Sequence, residues 1–490
     1  METVKPTTTG GAEKALRSFG SGFALFFVQF YRDIREGDFF VRLSLIFFGA
    51  GYFARKQYAK GVLVTLLQAF VFLFYPLALW PSLSKFGTLG TVKRASVFNP
   101  ATMKNEVNNF DHSFMILLFG LFAILVILAM FIFWVKNIRA VRRLQVLQES
   151  GKPVNRFADD IRDLINKKFY ITLLALPSLG ILLFTIIPLL VMICVAFTNY
   201  DQTHMVPTNL FTWVGLANFK TLFTRSQTIT FAYSFGRVLS WTLIWAAFAT
   251  FSTYILGILM AMFVNNRNTR FKRFWRTMFV IPIAVPQFVS LLLVRNFFAN
   301  TGIVNTICAN TGLTGLLKQI GLLSQNYGYI PFLTDPAWAK AMILLINLWI
   351  GIPYLMLIAT GILMNIPAEL LESARIDGAN AYQSFRHITM PYILFVTGPF
   401  LINSFTHNIN NFNVIYLLTN DVFVTKDQLL ANSNAQEVDL LITWLYRLTQ
   451  NFYNYKMASV LGILIFVICA VFTVFAFRRL IRGNREERFQ

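Results

Sequence analysis

The stretch FYITLLALPSLGILLFTIIPLLVMICVAFT, residues 169–198, runs for thirty residues without a charged side chain. The hydrocarbon core of a bilayer is about 30 Å thick, and a helix rising 1.5 Å per residue crosses it in about 20 residues. Backbone groups inside hydrocarbon find no water, so a spanning segment must pair them internally, as a helix does. The stretch therefore predicts a transmembrane helix and places the chain in a membrane.

The rest of the chain has the same character. Of its 490 residues 56% are hydrophobic and only 13% are charged, whereas a soluble domain carries about 25% charged residues. We predict an all-α polytopic membrane protein with eight spans, at residues 61–80, 114–135, 169–198, 238–264, 277–299, 340–363, 391–419 and 456–477. A shorter apolar stretch at 43–53 is interpreted as an interfacial or re-entrant piece, because it is too short to span comfortably.

The distribution of positive charge predicts the orientation. The formal net charge is +21, but Lys and Arg lie in the gaps beside apolar runs, which argues against nucleic-acid binding and for a membrane topology signal. Thirty of them fall in one alternate set of gaps, 1–60, 136–168, 264–276, 364–390 and 478–490, and nine in the other set, 81–113, 199–232, 300–337 and 420–455. Both termini are therefore predicted to be cytoplasmic, and the first spans to act as the insertion signal, with no cleaved signal peptide.

A long basic linker divides the chain. The predicted parts are a cytoplasmic or interfacial N-terminal segment (1–60), an accessory transmembrane hairpin (61–135), the basic cytoplasmic linker (136–168), a six-span core (169–477) and a basic cytoplasmic tail (478–490).

Within the core, the cytoplasmic loop PAELLESARIDGANAYQSFRHITMP at 367–391 carries the most informative spacing. It predicts two short helices with a turn at Gly378, the first starting at Pro367 and the second ending at Pro391. Taken alone, the loop also fits an ordinary solvated connector. The spacing of Glu372-Ser373-Ala374, Gly378 and the final Ile-Thr-Met-Pro resembles the EAA loop of ABC importer permeases, with Ser for the second Ala and Met for the usual Leu.

The resemblance extends through the six core spans, which are similar to sugar permeases of the maltose and maltodextrin type. It implies that 169–477 is an ABC importer core, and that this chain pairs with a second permease, two ABC ATPase subunits and an extracellular or periplasmic sugar-binding protein, in contact with membrane lipid. In that family the loop seats on the ATPase. The residues carried over to that coupling role are Glu372, Ser373, Ala374, Gly378 and Ala379.

Two polar helix faces at membrane depth predict the substrate path. In the seventh span Ser404, His407, Asn408 and Asn411 recur at helical spacing, and in the sixth Asn347, Gly351 and Tyr354 do the same. Polar groups in a bilayer are costly unless they are paired or line a wet cavity. Interhelical hydrogen bonding and a glycine packing contact are the alternative interpretations. The resemblance implies that these seven positions line the sugar site, with His407 replacing an aromatic hydrocarbon ring.

The sequence contains no motif that is typical of a catalytic or metal-binding site. There is no GxxxxGK[ST] loop to cradle nucleotide phosphates, no HExxH or other metal-ligand spacing among the four histidines, and no CxxC among the three cysteines. We therefore predict no catalytic residue, no metal and no cofactor on this chain, with ATP bound and hydrolysed by partner subunits.

These observations combine into one functional hypothesis: a permease subunit that imports a neutral, maltodextrin-like oligosaccharide across the bacterial cytoplasmic membrane by alternating access. An importer of another neutral glycan and a secondary sugar transporter are the alternatives. A secondary transporter would need an intramembrane carboxylate to bind a coupling ion, and the core spans contain no Asp or Glu. A membrane enzyme acting on glycans would need paired carboxylates at that depth.

Overall fold

A computed structural model describes residues 28–100, 103–224, 231–266 and 269–483. Residues 1–27 of the predicted N-terminal segment, where a signal peptide would lie, and 484–490 of the predicted tail fall outside the described residues. The chain divides into two compact units, Met1–Cys194 with Thr203–Trp213, and Val195–Gln202 with Val214–Gln490.

The first unit consists of helices and a β-hairpin. Residues 28–35 are helical. The further helices are α1 (Phe39–Leu43), α2 (Ala50–Ala54), α3 (Tyr58–Phe74), α4 (Trp80–Ser84), α5 (Ser113–Glu149), α6 (Phe157–Ile165), α7 (Phe169–Ile181) and α8 (Ile187–Val195). The π-helical turns Tyr75–Leu79 and Leu182–Ile186 join α3 to α4 and α7 to α8. Strands β1 (Ser96–Asn99) and β2 (Lys104–Val107) pair antiparallel, with Val97 opposite Glu106.

The second unit is built on long helices joined by short ones. A 3-10 turn at Gln202–His204 includes the last residue of one of its segments and the first two residues of a segment of the first unit. Its helices are α9 (Ala217–Phe223), α10 (Phe231–Asn265), α11 (Lys272–Ala284), α12 (Gln287–Phe297), α13 (Ile303–Asn310), α14 (Leu313–Gln319), α15 (Pro336–Met364), α16 (Ala368–Ile376), α17 (Ala381–Ser384), α18 (Met390–Ile409), α19 (Phe412–Thr419), α20 (Gln428–Asn432), α21 (Leu441–Gln450) and α22 (Tyr455–Gly483). The π-helical turn Phe385–Thr389 joins α17 to α18.

Seven helical stretches of the described chain are long and apolar enough to cross a membrane. They are Tyr58–Ser84, Ser113–Glu149, Phe169–Val195, Phe231–Asn265, Pro336–Met364, Ala381–Thr419 and Tyr455–Leu480. Each coincides with one of the eight predicted spans, and the all-α polytopic fold is confirmed.

The remaining predicted span, 277–299, is not one straight helix. It consists of α11 and α12, which are bent by 95° relative to each other. The break lies at Val285, which is extended (φ −89°, ψ 128°), before Pro286. A residue before proline is pushed out of the α region, and proline supplies no backbone donor, so the helix ends there. This predicted span is therefore a bent pair of helices rather than one straight helix.

The N-terminal part of the first unit folds onto the far end of α5. This helix continues to Glu149, so the predicted linker at 136–168 begins inside a helix. Val41, Tyr52, Ile138 and Val141 form a small apolar core there. The stretch 43–53 contributes the end of α1 and most of α2, and no long helix.

In the second unit, α10 and α15 approach each other closely at two glycines. A Cβ built on Gly257 of α10 would lie 2.6 Å from Cβ of Leu355, and one built on Gly351 of α15 would lie 2.6 Å from Cγ2 of Thr253. Real Cβ atoms do not approach that closely, so each glycine allows the two helices to pack at this distance. The glycine packing contact considered for Gly351 is therefore present.

The first half of α10 is also joined to the start of α21 and to the segment before it. The Trp241 indole donates to the Val438 carbonyl at 3.1 Å, and the Leu441 amide donates to the Thr242 hydroxyl at 3.0 Å. Such interhelical hydrogen bonds fix helix positions where no water competes for the groups. They hold α10 in place as one wall of the site described next.

Candidate functional site

The second unit contains a cavity of about 330 Å³ between α10, α15 and α18, closed on one side by the start of α12. Ligand pockets in proteins typically measure about 300–1,000 Å³. The lining residues are Ala249, Thr253, Gln287, Asn347, Ile350, Gly351, Tyr354, Leu355, Phe400, Asn403, Ser404, His407, Asn408 and Asn411.

All seven residues that the two polar faces singled out lie on this one cavity. Helix α15 supplies three of them and α18 supplies Ser404, His407 and Asn408, as the helical spacing requires. Asn411 reaches the cavity differently. Helix α18 ends at Ile409, and Asn411 is the N-cap of α19, with its side chain accepting from the Val414 amide at 3.3 Å. The predicted span 391–419 is therefore interrupted at 410–411.

The structure adds polar residues that the sequence reasoning missed. Asn403 precedes His407 by one helical turn, so counting back four residues from His407 would have found it. Gln287 is the first residue of α12 and reaches the cavity only because the chain bends by 95° there. A single straight span gives no reason to bring Gln287 to this place.

The side chains of Asn408 and Asn411 form hydrogen bonds to other residues of the protein. The Asn408 amide donates to the Thr250 hydroxyl on α10 at 2.9 Å, and the Asn411 amide donates to the Asn408 side-chain carbonyl at 3.3 Å. The Trp245 indole donates to the Asn408 backbone carbonyl at 3.1 Å. Both asparagines are buried, so the alternative of interhelical hydrogen bonding applies to them, although they also border the cavity.

A second group of polar side chains faces the cavity without such ties. Among the described residues, none of this group has a hydrogen-bond partner within the chain. The group, which we call the free polar set, consists of Gln287, Asn347, Tyr354, Asn403, Ser404 and His407. Amides, hydroxyls and an imidazole offer both donors and acceptors, as a ligand rich in hydroxyl groups requires.

The cavity also carries aromatic surface and lacks charged side chains. Tyr354 is 53% exposed, and the centroid of its ring lies 6.4 Å from that of Phe400 at an interplanar angle of 44°. An aromatic face packs against an apolar ring face while the Tyr hydroxyl remains available at its edge. Among the described residues that line the cavity there is no Asp, Glu, Lys or Arg. The lining therefore matches a neutral ligand better than an ionic one.

A second candidate region is the loop between α15 and α18. Helix α16 follows Pro367, which is its N-cap rather than its first helical residue as predicted. Gly378 makes the turn with φ of +79°, a conformation that glycine adopts readily. Asn380 and Gln383 then form a capping box that starts α17. The two predicted short helices are confirmed, but the second does not end at Pro391, because the π-helical turn carries it directly into α18.

The loop presents a largely exposed surface. Glu372, Ser373 and Gly378 are exposed, and Ala374 and Ala379 are half-buried. Apolar side chains beside them are also exposed, with Ile376 at 86% and Tyr382 at 65%. Exposed apolar groups clustered beside polar ones are typical of protein interaction sites.

Comparison with known proteins identifies the family. Residues 253–485 match the family described as the inner membrane component of binding-protein-dependent transport systems. The maltodextrin transport system permease MalC of Streptococcus pneumoniae is 36% identical over 90% of this chain and 95% of its own length. The chain belongs to the permeases of binding-protein-dependent ABC sugar importers, of the maltose type.

Two further comparisons extend this assignment. The galactooligosaccharide transport system permease GanP of Bacillus subtilis is 32% identical to this permease over 88% of the chain and 95% of its own length. A solved bacterial ABC transporter for import of the polysaccharide alginate contains a chain with a TM-score of 0.50 and 23% identity, covering 66% of this permease and 98% of that chain, which shows a shared fold.

The family membership fixes several general properties. This permease is a multi-pass membrane protein of an ABC importer and a non-catalytic transport subunit, whose ATPase is a partner subunit. The matched segment 253–485 includes both the cavity helices α15 and α18 and the loop between them.

Proposed function

We propose that this permease moves a neutral oligosaccharide of the maltodextrin class through the cavity between α10, α15 and α18. The observation that carries the proposal is the free polar set beside the Tyr354 and Phe400 rings, in a cavity whose described lining contains no charged residue. Sugars present hydroxyl groups at their rims and apolar faces on their rings, and this lining offers partners for both.

The same helices connect the cavity to the proposed ATPase contact. Helix α15 carries Asn347 and Tyr354 and ends at Met364, immediately before α16, and the loop's second helix continues into α18, which carries Ser404 and His407. A force applied around Glu372 therefore acts on both cavity walls through short helical connections. Alternating access follows if ATPase closure favours one arrangement of these walls and nucleotide release the other.

The proposed assembly contains a second permease, two ABC ATPase subunits and an extracellular or periplasmic sugar-binding protein. The excess of Lys and Arg in alternate gaps supports a cytoplasmic location for both termini and for the loop at 367–391. The ATPases then bind on the loop side, and the binding protein delivers sugar on the opposite side.

A second candidate is the import of a different neutral oligosaccharide. The galactooligosaccharide permease GanP is nearly as similar to this chain as the maltodextrin permease MalC. The free polar set contains hydrogen-bonding groups that serve either sugar, so maltodextrins and galactooligosaccharides should be compared directly as substrates.

The proposal is tested with the assembled transporter in sealed vesicles. The complete complex should accumulate sugar only when ATP is present on the ATPase side, and collapsing proton and sodium gradients should leave uptake unchanged. Uptake that continues without ATP and stops with an ionophore would place the protein among secondary transporters instead. The rates of uptake of maltodextrin, galactooligosaccharide and a negatively charged oligosaccharide, each supplied at the same concentration, identify the substrate class. Faster uptake of the charged sugar would overturn the neutral assignment.

A further inference from the structure

The first unit contains a basic groove far from the sugar cavity along the chain. It measures about 620 Å³ and lies between helical residues 28–35 and the second half of α5. Its charged lining consists of Arg32, Asp33, Glu36, Arg139, Arg142 and Arg143, which we call the arginine groove. Sugar transport through α10, α15 and α18 makes no use of these residues.

The charges in the arginine groove do not balance. Arg139 lies 3.8 Å from Asp33, and Arg142 lies 3.4 Å from Glu36, so these two pairs join the helices. Arg32 and Arg143 are exposed, and neither side chain has an acidic partner or a hydrogen bond among the described residues. The groove thus carries two positive charges in excess of its acids, on guanidinium groups suited to bidentate contact with phosphate.

The position of the groove along α5 places it close to the surface of the membrane. The apolar part of α5 ends near Trp134, and tryptophan is enriched where a helix leaves the hydrocarbon. Arg139 and Arg143 follow Trp134 by five and nine residues, which is about 8–14 Å along a helix rising 1.5 Å per residue. This is the depth of lipid headgroups, within reach of long arginine side chains.

A separate observation also places this region against lipid. The short helices and turns between residues 39 and 47 pack one side onto α5, where the Trp134 indole donates to the Leu45 carbonyl at 3.0 Å. Their other side exposes large apolar groups, with Phe39 at 70%, Ile46 at 69% and Phe47 at 60%. These segments are too short to span a bilayer, and exposed aromatic and aliphatic groups beside a basic surface are typical of a segment lying in the membrane interface.

We infer that the arginine groove binds the phosphate of an anionic glycerophospholipid, with Arg32 and Arg143 as the anion-binding side chains and the exposed groups around Phe39 and Phe47 inserted beside its acyl chains. Basic pockets beside transmembrane helices on the cytoplasmic side attract anionic headgroups in this way. A free phosphate would satisfy the arginines but leave the adjacent apolar surface without a partner.

The test measures lipid binding by the purified full-length protein in a neutral detergent. Fluorescent phosphatidylglycerol is titrated into the wild type, into the double variant Arg32→Gln/Arg143→Gln, and into Lys93→Gln/Lys104→Gln, which removes the same charge near the β-hairpin. Each basic residue near a membrane surface contributes roughly 1 kcal/mol, so the first double variant should bind roughly 30-fold more weakly. The control variant should bind close to the wild-type level, and Arg32→Lys/Arg143→Lys, which keeps the charge but loses the bidentate guanidinium contact, should bind more weakly than the wild type and more tightly than the glutamine variant.

Two further arms identify the source of the phosphate. Phosphatidylcholine with the same acyl chains should bind much more weakly than phosphatidylglycerol, and millimolar inorganic phosphate should not displace the anionic lipid. Equal binding of the two lipids, unchanged binding by the arginine-to-glutamine variant, an equal loss in the lysine control, or full displacement by inorganic phosphate would each overturn the inference.

Discussion

Two membrane helical stretches with similar apolar character, Tyr58–Ser84 and Phe231–Asn265, differ sharply in what surrounds them within their own units. In the most apolar part of Tyr58–Ser84, 6% of the residues are buried by protein. In the corresponding part of Phe231–Asn265, 44% are buried. The first exposes Phe70, Phe72 and Leu73 along most of its surface. The second buries Thr242, Thr250 and Tyr254, and each of these makes a hydrogen bond to another segment.

This difference shows that the sequence features that make a helix cross the membrane are not the features that make it line a functional cavity. Apolar length alone makes both stretches cross the membrane, because the backbone must be satisfied internally in either case. Both stretches border a cavity within their own unit, but the cavity beside the first is lined almost entirely by apolar and aromatic side chains, whereas the cavity beside the second carries the free polar set. We therefore expect substitutions in the second unit to impair transport at positions where equivalent substitutions in the first unit are tolerated.

The largest effect is expected at the proposed ATPase contact. Glu372→Lys should lower uptake by at least about 30-fold, because reversing a charge at a docked interface leaves an unpaired charge on the partner. Gly378→Val should also impair uptake, since its φ of +79° strains any side chain. Uptake and membrane insertion are measured together. Glu369→Lys is the matched control, one helical turn away on α16, and comparable losses from both lysine variants would indicate a general charge effect rather than a coupling contact.

The next effect concerns glycines in membrane helices. Gly351→Leu forces α10 and α15 apart, because even a Cβ meets Thr253 at 2.6 Å, and overpacking costs about 1–3 kcal/mol in addition to filling the cavity. A Cβ built on Gly180 of α7 meets no atom within 4 Å, so Gly180→Leu is the matched substitution at an open position. We expect the first variant to lose uptake and thermal stability and the second to resemble the wild type. Similar behaviour of the two would contradict the distinction between packed and lipid-facing helices.

Within the cavity, the free and the tied polar side chains should behave differently. Tyr354→Ala should weaken sugar uptake about 5–150-fold, corresponding to about 1–3 kcal/mol of lost stacking and hydrogen bonding, without lowering thermal stability. Asn408→Ala should lower thermal stability by about 1–3 kcal/mol, because the Thr250 hydroxyl and the Asn411 amide lose a buried partner. Melting curves and uptake at several sugar concentrations separate the two outcomes. A stable Asn408→Ala variant would show that the asparagine network does not hold the helices together.

The sequence predicted much of this cavity because helical periodicity is local. Asn347, Gly351 and Tyr354 lie on one face of α15, and Ser404, His407 and Asn408 on one face of α18, as their spacing requires. Gln287 was missed because the 95° bend at Pro286 depends on what surrounds the helix as well as on the proline itself. The hydrogen bond between Asn408 and Thr250 joins residues far apart in sequence. No local pattern therefore distinguishes Asn408 from a polar side chain that remains available to a ligand.

The smallest effect compares one ion pair from each unit. Lys85 contacts Asp111 at 2.6 Å, and Lys426 contacts Asp335 at 2.7 Å. Burial alone would raise the pKa of each carboxyl, but the lysine and two backbone amides together lower the pKa of Asp111 and of Asp335 below the usual value of 3.8. A lowered folded-state pKa means that each pair contributes stability at neutral pH, which is lost as the pH falls below 3.8 through the folded-state pKa.

Asp111 is the more buried of the two carboxylates, at 7% exposure against 20% for Asp335. Asp111→Asn should therefore cost more stability at pH 7, about 1–2 kcal/mol against about 0–1 kcal/mol for Asp335→Asn, and both differences from the wild type should shrink as the pH falls below 3.8. Thermal unfolding in detergent between pH 7 and pH 3 measures both. A difference that grows on acidification would contradict the assigned direction of these pKa shifts.

The most direct test of the central claim is substrate protection of a cysteine placed in the cavity. Ser404→Cys, in a background without the native Cys194, Cys308 and Cys469, is assembled with the partner subunits and labelled with a water-soluble thiol reagent. If the cavity between α10, α15 and α18 is the sugar path, maltodextrin should slow the labelling in proportion to its occupancy, whereas labelling of a cysteine at Lys93 should not change. Labelling of Ser404→Cys that is unaffected by any neutral oligosaccharide the transporter accumulates would show that the sugar passes elsewhere.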